Sequence, residues 1–346
     1  MSIFEQSINN IPEVTYSKLS TDKEGIVRHV DNITSATYKM SGSTGPYGKE
    51  NQDAHSINVI DYNGKKVTII CGCDGHGTFG KMFSSTVVNE LPHIIICHLD
   101  NILVDSSTLY GIFEIFNETL KSRFISLTNG GTTVTILIKF DGCQICANLA
   151  DFDAITKIDT DISNITFTKD GVSQDVTSNI LQLTDDHSPN SISESLRLLD
   201  LGCDIRYSSC NGSTEIDAYT RIDIDGVKTI KRVPWTKQSG AYSINVSGDI
   251  AMYIYQGLLK FNLSRSIGDY AAEYMIPRPT ITVVKYPSGT ETKTILGSDG
   301  YFNCFTLKEL HQQLLFVPEA ICSNGYDMVG KTFGYENADN MTVIVV

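Results

Sequence analysis

The sequence predicts an α+β fold built on antiparallel sheets, because short apolar strands follow one another across tight turns and alternate with pairs of longer segments. Two of the turns carry hairpin dipeptides, Asn63-Gly64 and Asp141-Gly142, each flanked by runs of strand length. Residues 79–100 and 103–126 have the length and apolar spacing of helices. This order differs from the strict strand and helix alternation of parallel nucleotide-binding sheets.

The first hairpin is the best-defined element of the N-terminal half. Residues 56–62 and 66–73 flank Asn63-Gly64 and are rich in β-branched and apolar side chains. The first strand therefore runs away from Asp53, and the second returns toward Asp74. We expect these two carboxylates at the same end of one hairpin.

The remaining elements follow from the same signals. Pro92 lies inside the first helical segment and is expected to break the helix or end it early. A polar segment at about 188–256 predicts an irregular, flap-like insertion with one short helix at 193–201. Further strands are expected at 132–140, 143–150, 154–158, 165–168, 280–285, 292–298 and 341–346, with a helix at 307–316. We expect one large domain spanning residues 1–346.

Composition argues against several classes of function. The 346 residues are 41% hydrophobic and 19% charged, which is enough apolar material for a sizeable core. A formal net charge of -13 argues against a nucleic-acid binder that covers phosphates with Lys and Arg. No apolar run approaches the ~20 residues that span a bilayer, and the N-terminus lacks the pattern of a secretion signal. We predict an intracellular, cytoplasmic protein, with a nuclear location left open.

The nine cysteines are odd in number and scattered, so structural disulfides are not expected. Cys143 and Cys146 form a C-x-x-C pair, which is compatible with a redox or zinc pair. No second pair with zinc-finger spacing accompanies it, and no helix start follows it. We favour the interpretation that both are core residues.

Five aspartates lie at the edges of predicted strands: Asp53, Asp74, Asp151, Asp299 and Asp339. Asp74 is followed by Gly75-His76-Gly77, in which the missing Cβ atoms let the chain turn sharply and expose backbone carbonyls. Five converging carboxylates would repel one another, and the pKa values of the group would rise. A divalent cation such as Mg2+ or Mn2+ removes that objection, because it prefers carboxylate, carbonyl and water oxygens.

Eight short motifs follow one another along nearly the whole chain. They are NQDA (51–54), DGHG (74–77), GTTV (131–134), ANLAD (147–151), LTDDHSP (183–189), LSRSIGD (263–269), SDG (298–300) and DNMTVIVV (339–346). In this order they resemble the metal-dependent Ser/Thr protein phosphatases of type 2C. The resemblance implies a four-layer α-β-β-α sandwich of two antiparallel sheets flanked by helices, with metals in a cleft at one end and the polar insertion as a flap.

The resemblance also implies roles for individual residues. The ligands of two Mg2+ or Mn2+ ions would be Asp53, Asp74, the carbonyl of Gly75, Asp299 and Asp339. Asp151 matches the family's ligand for a third, weaker metal, and His76 matches the proposed general acid. The implied reaction, carried out by a monomer on phosphorylated protein substrates, is hydrolysis of phosphoserine and phosphothreonine. Metal-acidified water attacks phosphorus, and an imidazole gives a proton to the leaving alkoxide.

The chain departs from the family pattern at four places, of which the mildest is Gln52 in place of the usual acid before Asp53. Gly48 stands where the family has a phosphate-gripping Arg, and Lys49, one position away, is the candidate for the substrate phosphate. Phe152-Asp153 replaces Ser-Arg, and Asn303 replaces an acid. Loss of one charge-assisted phosphate contact costs about 1.5 to 3 kcal/mol, which weakens turnover without abolishing it. We favour a working enzyme; the alternative is a phosphatase-like module that binds partners without turnover.

Overall fold

The computed structural model describes residues 16–17, 26–38, 50–127, 129–189, 191–208, 216–224, 226–235, 251–256, 259–332 and 339–346. The helices are α1 (Gly80–Cys97), α2 (Leu99–Val104), α3 (Thr108–Phe124), α4 (Ile192–Asp200), α5 (Asp299–Phe302), α6 (Leu307–Gln313) and α7 (Pro318–Thr332). The strands are β1 (Tyr16–Ser17), β2 (Ile26–Val30), β3 (Ile33–Tyr38), β4 (Ala54–Tyr62), β5 (Lys65–Cys73), β6 (Gly75–Gly77), β7 (Gly130–Thr132), β8 (Val134–Phe140), β9 (Cys143–Leu149), β10 (Asp153–Ile158), β11 (Thr166–Lys169), β12 (Val172–Ser173), β13 (Ile180–Gln182), β14 (Asp204–Ser208), β15 (Ile216–Ile224), β16 (Val227–Trp235), β17 (Ala251–Gln256), β18 (Leu259–Phe261), β19 (Ile267–Gly268), β20 (Thr280–Lys285), β21 (Thr292–Gly297) and β22 (Met341–Val345).

Two antiparallel sheets form the central layers. The first has eight strands in the order β1-β4-β5-β8-β9-β20-β11-β12, and the second has six in the order β13-β10-β21-β22-β3-β2. The predicted first hairpin is confirmed: β4 pairs with β5, Ala54 lies opposite Cys73, and Tyr62 lies opposite Lys65. Asp53 and Asp74, which directly flank this pair of strands, therefore lie at the same end of the hairpin.

Three buried clusters define the order of the layers. One joins the first sheet to α1, α2 and α3, and contains Ile69 and Phe113. The second lies between the two sheets and contains Ile70 and Leu296. The third joins the second sheet to α5, α6 and α7 around Tyr301. Ile69 and Ile70 belong to different clusters because successive strand residues face opposite sides. The four-layer α-β-β-α arrangement is thereby confirmed.

The helices differ from the sequence prediction in two respects. The expected break at Pro92 was wrong, because α1 runs through this residue, which is buried. Proline removes the hydrogen bond to the carbonyl of Val88, but Leu91 and Ile95 on the buried face of α1 keep it packed on the first sheet. The second predicted helix, 103–126, corresponds to α3, and the short helix α2 is a separate element that spans the end of the first predicted helix and the start of the second.

The C-terminal part adds a helix that the sequence pattern did not indicate. This helix, α7, contains Gly325, which weakens the helical signal. A Cβ atom at this position would lie 2.6 Å from the ring of Tyr301. The residue that lowers helix propensity is therefore the one that lets the helix approach the core. The terminal strand β22 is confirmed.

The polar insertion is more regular than predicted in its described residues. Helix α4 confirms the expected short helix, and β14 to β18 form a five-stranded antiparallel sheet in the order β16-β15-β14-β17-β18. Its own small core joins Leu198 of α4 to Ile205, Ile254 and Tyr274. Composition alone suggested irregular structure because polar residues alternate with apolar ones along strands such as IDAYTRIDI.

A buried carboxylate ties this insertion to the main body. Glu194 of α4 accepts hydrogen bonds from Arg265 (2.5 Å), Arg197 (2.9 Å) and the hydroxyl of Ser264 (2.6 Å). Burial opposes ionisation of Glu194, but the two guanidinium groups outweigh it and lower the pKa to about 2. Arg265 is thus an ion-pair partner of Glu194. The segment that contains Arg265 also contains Asp269.

The cysteines behave as core residues. Cys143 packs on the helix side of the first sheet, whereas Cys146 lies between the two sheets. Because the two side chains face opposite sides of β9, they do not form a common redox or zinc pair. No disulfide links the cysteines within the described ranges. In the same ranges, no helix has both the length and the apolar character needed to cross a bilayer.

Gly72 and Phe152 form a close contact between the two sheets, and it generates a prediction. A Cβ atom at Gly72 would lie 2.2 Å from the ring of Phe152. We expect Gly72→Ala to reduce the free energy of unfolding by about 1 to 3 kcal/mol in urea titrations, because the ring must be displaced. Adding Phe152→Leu should make the two losses less than additive.

The control for this prediction is Gly111→Ala. Gly111 lies on the exposed face of α3, and a Cβ atom there would have no neighbour within 4 Å. This substitution should raise the free energy of unfolding by roughly 0.5 to 1 kcal/mol through helix propensity. Losses at Gly72 and Phe152 that simply add would contradict the proposed contact.

Candidate active site

The five predicted acids come from strand ends of both sheets. Asp53 precedes β4 and Asp74 follows β5 in the first sheet, while Asp299 follows β21 and Asp339 precedes β22 in the second. Antiparallel pairing of Gly297 with Val343 puts Asp299 and Asp339 at one end of their strands. Asp151 follows β9 and leads into β10, whose first residue, Asp153, lies opposite Gly297. The strand pairing therefore carries all five to one end of the sandwich.

Electrostatic coupling between these acids supports that placement. Burial, and then the charges of Asp53, Asp299, Asp339 and Asp151, raise the pKa of Asp74 well above its ordinary value. Burial also raises the pKa of Asp53 to about 6, with a contribution from the charge of Asp339. The pKa of Asp74 therefore responds to the charges of all four other acids.

Asp53 is held in place from the second sheet although it belongs to the first. Its side chain is only 1% exposed. Thr342 and Ser298 hydrogen-bond to the carboxylate and partly offset the rise in its pKa, as does a hydrogen bond with Asp74. Ser298 also accepts a hydrogen bond from the backbone N–H of Thr342 at 3.0 Å. The acids therefore lie where the two sheets are joined by polar side chains.

The backbone around Asp151 is fixed by buried polar groups. Ala150 has a φ of 76°, a left-handed conformation, and its N–H donates to Nδ1 of His187 at 2.9 Å. Nε2 of His187 lies 2.9 Å from the hydroxyl of Thr280. Burial, together with the charge of Arg265, lowers the pKa of His187 to about 3, so the ring is neutral. His187 is a buried packing residue, and it also fixes the turn that presents Asp151.

Burial and neighbouring acids also affect Asp151 itself. Burial raises the pKa of Asp151 well above its ordinary value, followed by the charges of Asp299, Asp186 and Asp153. Asp153, in turn, accepts a hydrogen bond from the hydroxyl of Thr184 at 2.6 Å. The pKa of Asp151 therefore depends on Asp299, at the end of a strand of the second sheet, and on Asp186 in the segment 183–189.

The residues present fit a hard divalent cation by their chemistry. In the part of the chain that the structure describes, no group of three or more His, Cys, Asp or Glu side chains is preassembled as a metal site. The acids are nevertheless coupled neighbours, and carboxylate and carbonyl oxygens are the ligands that Mg2+ and Mn2+ prefer. Gly75 cannot be replaced without strain, since a Cβ atom would lie 2.4 Å from the carbonyl oxygen of Gly80. This glycine keeps the backbone beside Asp74 closely packed.

His76 lies next to the acids but faces a different partner. Its Nε2 atom lies 2.5 Å from Oδ2 of Asp269, which also accepts a hydrogen bond from the hydroxyl of Ser266 at 2.6 Å. The two residues meet through a small antiparallel sheet in the order β19-β7-β6. The imidazole side chain is 26% exposed, whereas Asp269 is 2% exposed.

Sequence reasoning missed Asp269. In the sequence it is only the last residue of LSRSIGD, and an aspartate after a glycine is usual in a turn. No local sequence pattern indicates that Asp269 contacts His76, which lies 193 residues earlier in the chain. Lys49, the candidate for the substrate phosphate, and Gly48 lie outside the described residues.

The fold and the coupled acids define a phosphatase-like α-β-β-α sandwich, and comparison with known sequences identifies its family. The family model described as "Protein phosphatase 2C" matches residues 55–314. The chain therefore belongs to the protein phosphatase 2C family. It is 30% identical over 158 residues to "Probable protein phosphatase 2C 61" of Arabidopsis thaliana, a match that covers 43% of this chain and 43% of that protein.

Comparison with solved structures supports the same fold. The structure is similar to that of serine-threonine phosphatase 2C from Toxoplasma gondii, with a TM-score of 0.58, 13% identity, and coverage of 97% of this chain and 99% of the other. A C. elegans sex determining protein gives a TM-score of 0.53 at 16% identity, covering 90% of this chain and 64% of the other. At these identities the likeness shows the architecture alone.

Metal-stripped protein should lose stability as pH rises. The pKa of Asp53 is about 6 in the folded chain and near 3.8 in the unfolded chain, so the folded state binds more protons between these values. Its stability should therefore fall as pH rises from about 4 to above 6. Mn2+ requires ionised ligands, so it should raise Tm more at about pH 7.5 than at about pH 5, as measured by calorimetry.

The variant Asp74→Asn provides a more specific test of this prediction. Removing the most strongly coupled charge should stabilise the stripped protein by roughly 1 kcal/mol, or ~2 °C in Tm, and should largely remove the shift caused by Mn2+. The control is Glu114→Gln on the exposed face of α3, which should change neither quantity. A stripped Asp74→Asn protein that melts below the wild type and still responds to Mn2+ would contradict a shared cation site.

Proposed function

We propose that this chain is a metal-dependent protein serine/threonine phosphatase, which hydrolyses phosphoserine and phosphothreonine in protein substrates. The observation that carries the proposal is the coupling of Asp74 to Asp53, Asp151, Asp299 and Asp339, in a chain whose family is protein phosphatase 2C. Buried, mutually repelling carboxylates are costly for a folded protein. Bound catalytic metal ions would offset this repulsion, which explains why the carboxylates can lie together.

The ligands of the proposed centre would be the oxygens at the strand ends. Asp53, Asp74, the carbonyl of Gly75, Asp299 and Asp339 would hold two Mg2+ or Mn2+ ions, and Asp151 would contribute to a third. When bound, such ions supply Lewis-acid chemistry: they lower the pKa of water and offset the negative charge of the phosphoryl oxygens. The same ions would neutralise part of the net charge of -13.

His76 is the proposed general acid. As the water oxygen bonds to phosphorus, the bond from phosphorus to the serine or threonine oxygen breaks, and that oxygen keeps the electron pair. A proton from the imidazole of His76 then converts this alkoxide into the alcohol, and solvent protonates the ring again. The 26% exposure of the His76 side chain, beside the acid cluster, is compatible with contact to a bound phosphoprotein.

The proposal predicts metal-dependent turnover. With Mn2+, the protein should hydrolyse p-nitrophenyl phosphate and a phosphothreonine peptide, and EDTA should abolish both activities. Asp299→Ala should lower kcat/KM roughly a hundredfold or more, because the metals contribute several kcal/mol to the transition state. The control is Asp159→Asn, which alters an exposed ion pair with Lys157 and should leave turnover unchanged.

The alternative hypothesis, a binding module without turnover, gives a different result. It predicts measurable Mn2+ binding by calorimetry and no hydrolysis of either substrate at millimolar Mn2+. Protein that neither binds Mn2+ nor turns over would contradict both hypotheses, since both retain the metal ligands.

A second prediction concerns the phosphate contact. If Gly48 accounts for weak substrate binding, Gly48→Arg should lower the KM for the phosphothreonine peptide about ten- to a hundredfold by adding a charge-assisted, bidentate contact. Gly48→Gln has a long side chain without charge and serves as the matched control. An unchanged KM in Gly48→Arg would indicate that Lys49 or another group already binds the phosphate.

A further inference from the structure

The small sheet formed by β6, β7 and β19 brings an imidazole and a carboxylate together across a glycine. His76 lies on β6, opposite Gly131 of β7, and Gly131 also lies opposite Gly268 of β19. A Cβ atom at Gly131 would lie 2.3 Å from Oδ2 of Asp269 and 2.9 Å from Nε2 of His76. Only a residue without a side chain allows this contact across the middle strand.

The carboxylate of Asp269 is held from several directions. Its φ of 49° is in the left-handed region, which costs conformational energy outside glycine. Its N–H donates to the carbonyl of Gly130 at 2.9 Å, and the hydroxyl of Ser266 donates to Oδ2. Asp269 is therefore fixed by its own backbone and by Ser266, independently of His76.

The contact also indicates which nitrogen of His76 carries the ring hydrogen. Because a carboxylate oxygen accepts hydrogen bonds, we assign the hydrogen of this contact to Nε2 of His76. Nδ1 is buried and has no hydrogen-bond partner in the structure. The ring is therefore held by Nε2, while protein atoms enclose Nδ1.

We propose that Asp269 is a positioning residue, which holds the ring of His76 through Nε2 and thereby fixes the orientation from which the imidazole gives its proton to the departing serine or threonine oxygen. This inference depends on the proposed function. Asp269 itself does not touch the substrate. Its effect is to fix the ring orientation and the position of the ring proton, as a carboxylate paired with an imidazole does in other proton-transfer sites.

The test compares two substrates that differ in their need for a proton. The anion released from p-nitrophenyl phosphate is stable and leaves without protonation, whereas a threonine alkoxide is strongly basic. Asp269→Asn, nearly identical in shape, should lower kcat for a phosphothreonine peptide on the order of tenfold more than kcat for p-nitrophenyl phosphate. KM for the peptide should change little. Ser266→Ala should produce a smaller effect of the same kind.

A double-mutant cycle and a matched control make the outcome decisive. In the background His76→Asn, the additional effect of Asp269→Asn should disappear. Asp170→Asn is the control, since Asp170 has a φ of 46° and bonds Tyr110 and the N–H of Ile281 far along the sequence from His76. It should alter both substrates alike. Equal losses on both substrates in Asp269→Asn, or a loss that persists without His76, would overturn the proposal.

A measurement that does not depend on turnover separates this inference from the proposed function. In protein labelled with 15N-histidine, the ring signals of His76, assigned with His76→Asn, should report a hydrogen on Nε2 in the wild type. Asp269→Asn should shift that population toward Nδ1. Unchanged ring signals in Asp269→Asn would overturn the positioning role. A shift in a protein that hydrolyses neither substrate would preserve the contact and reject the phosphatase activity instead.

Discussion

Repulsion between buried carboxylates is the constraint on which the rest of this molecule depends. Asp74 senses four other acids, and burial strengthens each of those interactions because little water screens them. A folded chain accommodates such a group only if other parts supply the missing stability. Three apolar clusters do so, one at each contact between the four layers. The acids occupy the ends of the strands, so the repulsion does not interrupt the clusters.

The constraint also explains why the site is assembled from both sheets. Asp53 belongs to the first sheet but is hydrogen-bonded by Ser298 and Thr342 of the second. These contacts depend on the packing of the two sheets, whose buried contact includes Ile70 and Leu296. The geometry of the acids is thus set by the core between the sheets rather than by any local sequence. A change in that core therefore alters the electrostatics of the acids.

The sequence predicted the parts of the fold that local chemistry determines. Asn63-Gly64 indicated the hairpin, and hence the shared end of Asp53 and Asp74, because this dipeptide favours the turn that joins two strands. Pro92 misled the prediction, since the rule for helix interiors does not include the packing energy of the buried face. The contact between His76 and Asp269 could not be predicted, because it requires Gly131 on a strand between them. Non-local contacts of this kind leave no periodic signal.

The departure from the family pattern after Asp151 can be understood in the same terms. Phe152 is fully buried between the sheets, and its ring occupies the space where a side chain at Gly72 would lie. The two residues therefore compensate for each other. The backbone on either side of Asp151 is fixed separately, by His187 at Ala150 and by a hydrogen bond from Thr135 to the carbonyl of Phe152. Phe152 thus packs beneath the turn, while the neighbouring carboxylate of Asp151 is coupled to Asp299. A buried aromatic side chain at position 152 is therefore compatible with the metal-binding role proposed for Asp151.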